Sequence, residues 1–117
     1  MQIRGLKPFI PSGPDFARSK AFFQDLGFEL QWEVEGLAEL TFGGAAFLLQ
    51  NLHNREMQDN LMILVSVDDL DAWWRHIQSS GVLDRYDGVR AQEPTVHPWG
   101  RREVHLIDPA GVCWHFA

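Results

Sequence analysis

Apolar positions recur along this chain with two periods, and the switches between them predict its elements. A short apolar run at Leu6–Ile10 reads as a strand. Behind it, Phe16, Phe22, Phe23 and Leu26 fall near helical spacing, with Asp15 placed to cap the helix and Gly27 to stop it. Residues 29–35 then alternate strictly between apolar and polar, as do residues 38–42, with Gly36 at the turn between them. Gly43-Gly44 turns the chain into a third apolar strand, Ala45–Gln50. The same order then repeats. Leu61–Val67 reads as a strand, and Asp68-Asp69 can cap a helix whose Leu70, Trp73, Trp74 and Ile77 sit at i, i+3, i+4 and i+7 before Gly81. Within residues 83–96 the pattern predicts one strand near Val89–Glu93 and otherwise loop. The chain closes on Val104–Ile107 and Val112–Phe116, joined by Asp108-Pro109-Ala110-Gly111, a turn in which Pro pre-sets φ and Gly accepts a positive φ.

Asp15 to Gly27 and Asp69 to Gly81 span the same interval, so cap, helix and stop recur in register. The expected fold is therefore α+β: two tandem βαβββ units with curved, mixed or antiparallel sheets. They form a single domain over residues 1–117, with unit one at about 5–52 and unit two at about 60–117. Each sheet buries one face under its helix and leaves the other open, so pairing two units encloses a cleft where a ligand can bind.

Composition narrows the possible partners. The 117 residues are 45% hydrophobic, enough for a real core. A net charge of −6 argues against nucleic acid and mildly favours a cationic partner. No apolar run is long enough to span a bilayer, and Met1-Gln2-Ile3-Arg4-Gly5 does not lead into a signal-peptide core. With a single cysteine, Cys113, that points to a cytoplasmic protein with no membrane partner. Five Trp and eight Phe exceed what the core of so short a chain needs, leaving some for stacking on a flat ligand.

Motifs for covalent catalysis are absent. There is no G-x-S-x-G, no phosphate-binding glycine loop and no paired-cysteine metal spacing. Asp68, Asp69 and Asp71 read as a helix start that offsets the helix dipole. Of the five histidines, His53 falls in a polar loop over residues 51–60, His76 on the solvent side of the second helix, and His97 in a loop. His105 and His115 lie on the closing hairpin, whose register the sequence does not fix; His115 is the one weighed evenly as lining the cleft. Cys113 reads as a small buried hydrophobe. Trp99, held between Pro98 and Gly100 in a loop, has little reason to be there unless it binds something. Trp32 has two readings. Either it shares an apolar face with Leu30 and Val34 under the helix, leaving Glu29, Glu33 and Glu35 on the cleft, or the aromatic face itself lines the cleft.

The closing hairpin, the Pro98-Trp99-Gly100-Arg101 before it, and Asp15, Ser19, Phe22-Phe23 and Leu26-Gly27-Phe28 in the first helix carry a family likeness. With the internal duplication, they make the chain resemble the glyoxalase, bleomycin-resistance and extradiol-dioxygenase superfamily, the vicinal-oxygen-chelate fold, and most of all its bleomycin-resistance branch. That resemblance implies non-catalytic sequestration of a planar, cationic molecule, antibiotic resistance, and a ligand cleft shared by a homodimer. Trp99 and Trp32 match aromatic stacking positions of that branch, whereas Leu37 stands where the pattern has a second aromatic. The implied ligand-binding set is Trp32, Leu37, Gln50, Trp99, Gly100, Glu103 and His115, with Glu103 as a carboxylate at the cleft edge. Metal-dependent relatives take ligands from the first and last strand of each unit. Those positions fall here on Pro8, on Leu48 to Gln50 (where only Gln50 can ligate), on Met62 and on His115, so no metal or other cofactor is expected. The alternative is a glyoxalase-like isomerase or extradiol dioxygenase that keeps one divalent ion on Gln50 and His115. Pro8 and Pro11 bracket the first strand, which marks it as an edge or an arm that a partner chain can exchange.

Overall fold

A computed structural model describes residues 1–117. Its elements are β1 (Phe9–Pro11), α1 (Phe16–Leu26), β2 (Glu29–Val34), β3 (Leu37–Phe42), β4 (Ala45–Gln50), α2 (Arg55–Asn60), β5 (Met62–Val65), α3 (Leu70–Ser80), α4 (Val82–Arg85), β6 (Arg90–Val96), β7 (Arg102–Ile107) and β8 (Cys113–Phe116). They build two four-stranded mixed sheets of matching order, β1-β4-β3-β2 and β5-β8-β7-β6. In each, the first strand runs parallel to the last while the other pairs are antiparallel. This is the duplicated α+β architecture expected from the sequence.

The capping logic holds in both units. Asp15 accepts a hydrogen bond from the Arg18 N–H and Asp69 one from the Ala72 N–H, both at 3.0 Å. Gly27 (φ 118°) and Gly81 (φ 83°) end the helices in the left-handed region. At Gly27 a side chain is barred twice over, because an added Cβ would lie 2.7 Å from the Phe42 ring.

The inner faces of the two sheets meet in one core. Phe22, Phe23 and Leu26 of α1 and Ile77 of α3 pack with Ile10, Leu40, Phe47 and Leu49 of the first sheet and with Val104, Leu106, Trp114 and Phe116 of the second. Phe23, Phe47 and Trp114 close a triangle of rings with centroids 4.9–5.4 Å apart. Trp73 of α3 stacks on Phe116 at 4.8 Å. Exposed apolar side chains collect on the outer faces and at the N-terminus: Trp32, Val34, Met62, Leu64, and Ile3 and Leu6 ahead of β1.

Several expectations need correction. The first strand is Phe9–Pro11 rather than Leu6–Ile10, with the Pro8 carbonyl accepting from the Leu48 N–H at 2.9 Å. The fifth strand covers only Met62–Val65. The polar stretch 51–60 contains a helix, α2, capped by Asn54, because Asn54 and Gln58 supply their own local hydrogen bonds. Residues 83–96 begin in the one-turn α4, and their strand runs on to Val96. His76 is not on the solvent side: half-buried, it lies 2.5 Å from the Leu26 carbonyl oxygen and edge-on to Phe42, joining α3 to the end of α1.

Candidate functional site

Strand register decides which side chains reach the outer faces. In the first sheet Leu37 is opposite Gln50 and Glu39 opposite Leu48, whereas Ala38, Leu40, Phe47 and Leu49 point into the core. The pairing of β2 with β3 slips by one residue at Gln31, a β-bulge. Leu30 therefore pairs with inward-facing Leu40, while Trp32 pairs with Glu39 and Val34 with Leu37. Neither reading of the alternating strand was complete, since the bulge divides its apolar set between the two faces. Trp32 is 41% exposed on the outer face with Val34, Leu37 and Gln50 around it, and Glu33 turns to the helix side and pairs with Lys20 of α1.

In the second sheet Val104, Leu106, Trp114 and Phe116 take the core face, leaving Glu103, His105, Cys113 and His115 outside. His105 and His115 are direct cross-strand partners with ring centroids 4.0 Å apart. The hairpin register thus puts both on one face, a point the sequence left open. Cys113 is half-buried on this face, next to Met62 of β5, rather than an enclosed core residue.

Glu103 is the hub. Its Oε1 accepts hydrogen bonds from His105 Nε2 and His115 Nδ1, each at 2.9 Å; its Oε2 accepts from Arg101 Nε at 2.5 Å and Trp99 Nε1 at 3.2 Å. Burial alone would raise this carboxyl, but the donors outweigh it and hold Glu103 well below the usual carboxylate range. Because an ionised carboxylate only accepts, both histidine nitrogens facing it must carry their protons. Glu103 has no exposed surface. It is therefore not a carboxylate at the cleft edge; it organises the groups that are exposed.

Above it lies an aromatic column. Trp99 stacks on His97 (4.7 Å, 9°), and His97 on His105 (4.2 Å, 12°). Trp99 remains 56% exposed, held in a turn where Gly100 takes φ 89° and donates to the His97 carbonyl. His97 Nε2 is buried without a hydrogen-bond partner.

The residues named from the sequence thus fall into two groups. Trp32, Leu37 and Gln50 share the outer face of the first sheet; Trp99, Gly100, Glu103 and His115 gather on the second. A cavity of about 840 Å³ does open between the sheets, lined by Pro8, Ala46 and Phe47 on one side and Met62, Leu64 and Trp114 on the other, but none of the ligand-binding residues named from the sequence lines it. Two participants were missed. His97 and His105 looked like isolated polar residues, although the i, i+2 spacing of Glu103 and His105 was a legible sign of a shared face.

The metal positions implied by family resemblance do not fit an ion. Pro8 has no side-chain donor, and Met62 offers an exposed thioether. Phe9 and Leu64, the first-strand residues registered with Leu48 and His115, are apolar too. Only Gln50 and His115 remain as donors, too few for an ion that takes at least three protein ligands.

A family model described as the glyoxalase/bleomycin resistance protein/dioxygenase superfamily matches residues 12–116. No curated protein sequence matches the chain. Among solved structures, a bleomycin-binding protein complexed with bleomycin is 24% identical, with a TM-score of 0.83 and 97% of each chain covered. The bleomycin-binding protein of bleomycin-producing Streptomyces verticillus, complexed with copper(II)-bleomycin, is 23% identical with a TM-score of 0.80, covering 100% of this chain and 97% of its own. A lactoylglutathione lyase from Agrobacterium tumefaciens is 17% identical with a TM-score of 0.67, covering 98% and 93%. At these identities the likeness is one of fold.

Proposed function

The chain belongs to the glyoxalase/bleomycin resistance protein/dioxygenase superfamily, and from that premise we propose that it sequesters a planar, cationic small molecule without transforming it. The observation that carries this reading is the Trp99–His97–His105 column, one end packed on the sheet and the other open to solvent. The hydrogen bond from its indole to buried Glu103 fixes the orientation of Trp99, so little side-chain entropy is lost when a flat ligand extends the stack. The neighbours described with bleomycin bound support this ligand class, as does the net charge of −6. Trp32, Leu37 and Gln50 form the opposite wall, and Gly100 and His115 border the Trp99 side.

The two walls belong to different sheets, so the cleft is completed by a second copy of the chain. Exposed Ile3 and Leu6 ahead of β1, with Val34, Met62 and Leu64 on the outer faces, provide the apolar surface such a homodimer covers. The N-terminal arm crosses to the partner. The protein works in the cytoplasm as a resistance factor; no helix is long and apolar enough to cross a membrane.

The test is titration with metal-free bleomycin, followed by tryptophan fluorescence. A stacked aromatic and a cation over it together contribute about 1–2 kcal/mol, so Trp99→Ala weakens binding roughly tenfold. Because Trp99→Ala also removes a donor to buried Glu103, its thermal midpoint falls somewhat, and affinity is compared where both proteins are folded. Unchanged affinity in Trp99→Ala would refute the site. A monomer mass by light scattering at micromolar concentration would refute the shared cleft.

A further inference from the structure

The Glu103 network prepares two imidazoles for something other than a flat drug. In its neutral form each ring spends its one N–H on Glu103, which leaves His105 Nδ1 and His115 Nε2 as lone-pair donors. A carboxylate that fixes the tautomer of a histidine through its far nitrogen is the usual outer partner of a metal-ligating imidazole. Here one buried carboxylate serves two histidines. Cys113, two residues before His115, faces the same way, and His105, Cys113 and His115 each bring a ligand atom within 4.8 Å of the others. His97 forms a second such group with Glu103 and His105, and its buried Nε2 is without a partner.

The sheet itself does not require these residues. Aligning the units by their inward pairs, Leu40–Phe47 with Leu106–Trp114, sets Glu39 against His105, Leu48 against His115 and Ala46 against Cys113. Two of these three positions in the first unit are thus filled by plain apolar side chains, and the fold is the same.

We propose that His105, Cys113 and His115 bind one divalent transition-metal ion of the zinc type, with Glu103 orienting both imidazoles. This site lies on β7 and β8 of a single unit and uses nothing from β1, β4 or β5; it shares only His115 with the positions implied by family resemblance, and His105 and Cys113 are its own. Nor does it depend on the drug-binding reading, because the ion alone is the ligand. Two imidazoles and a thiolate suit zinc, cobalt or copper and not magnesium or calcium. On binding, the Cys113 S–H bond breaks as the S–metal bond forms; its proton goes to solvent and no electron is transferred.

Cobalt(II) is the probe, added to the full chain after chelator treatment and dialysis. One Co(II) per chain is expected, with a thiolate-to-cobalt charge-transfer band in the near ultraviolet and visible d–d bands, displaced by Zn(II) but not by Mg(II). Cys113→Ser removes the charge-transfer band, and His105→Gln and His115→Gln abolish stoichiometric binding. Glu103→Gln weakens it roughly 10–100-fold. Since that carboxylate is buried and its loss can unfold the chain, the three ligand variants, each checked by circular dichroism, carry the decision. No saturable Co(II) binding, binding unchanged in Cys113→Ser and His115→Gln, or binding that requires Gln50 in place of His105 would each overturn the proposal.

Discussion

Asp108, at the head of the closing hairpin, offers the sharpest quantitative test of how this fold is held. The residue is 2% exposed. Its Oδ1 accepts hydrogen bonds from the Ala110 and Val112 N–H groups at 2.9 and 3.0 Å, and its Oδ2 from the Trp114 indole at 2.9 Å. Burial outweighs these donors and pushes the carboxyl from 3.8 up to about 6. Between pH 4 and 6 the folded chain thus keeps a proton that the unfolded chain has released. The contribution of Asp108 to stability is highest at acid pH, falls as pH rises through this window, and is level above it. A shift of about two units is worth about 3 kcal/mol. Asp108→Asn removes the charge and keeps an oxygen for Ala110 and Val112, but sets an amide NH₂ against the Trp114 N–H at a cost of about 1–3 kcal/mol. Near pH 4 the variant is less stable than wild type by about that amount, and near pH 7 the two come within about 2 kcal/mol of each other. Urea unfolding at pH 4, 5, 6 and 7 measures the difference, in which the other carboxylates cancel. A difference that stays flat, or that widens in favour of wild type as pH rises, refutes the argument.

Trp73→Ala leaves a void against Phe116 and Phe42; because the ring is only half-buried, the loss is about 2–4 kcal/mol, read as a lower thermal midpoint with bleomycin affinity unchanged in the folded protein. Gly27→Ala combines a positive φ with a Cβ 2.7 Å from the Phe42 ring, so the denaturant midpoint falls by more than the 1–2 kcal/mol of left-handed strain alone; an unchanged midpoint would contradict that packing. Deleting Gln31 removes the bulge but leaves Leu30 opposite Leu40 and Trp32 opposite Glu39. A Trp32→Cys substitution in a Cys113→Ser background therefore stays reactive to a thiol reagent after the deletion, and loss of reactivity would show that the extra residue sets the face.

The duplicated architecture was legible in the sequence because its signals are local. A capping aspartate, a helical apolar stripe and a glycine that must turn left-handed each act within a dozen residues, and here they occur twice. Register is not local. That Leu30 and Trp32 lie on opposite faces despite their alternation turned on a one-residue bulge, and a residue without special chemistry, Gln31, gives no sign of being the one that slips. α2 was missed for the opposite reason: six residues are too few for a hydrophobic period, and the helix is held by the Asn54 cap and by buried Gln58, which bonds the Ala110 carbonyl and Asn54 N–H.

The candidate site follows the same division. Trp99 stood out because a large aromatic between Pro98 and Gly100 conflicts with its surroundings. Its partners did not stand out, because a histidine is informative only once its neighbours are known. His97, His105 and His115 come from a loop and two strands, and their significance lies in facing one carboxylate. That carboxylate carries a further implication. Both units bury an acidic residue on the third strand's outer face, Glu39 at 7% exposure and Glu103 at none. Glu39 is matched by Lys7, a cation from the arm ahead of β1, whereas Glu103 is matched by Arg101 and by hydrogen bonds from two histidines of its own unit. Moving the arm would strip the first carboxylate of its cation and leave the second untouched. The first sheet's outer face is thereby coupled to where the arm lies, and the second keeps its charge balance and its aromatic column whatever the arm does.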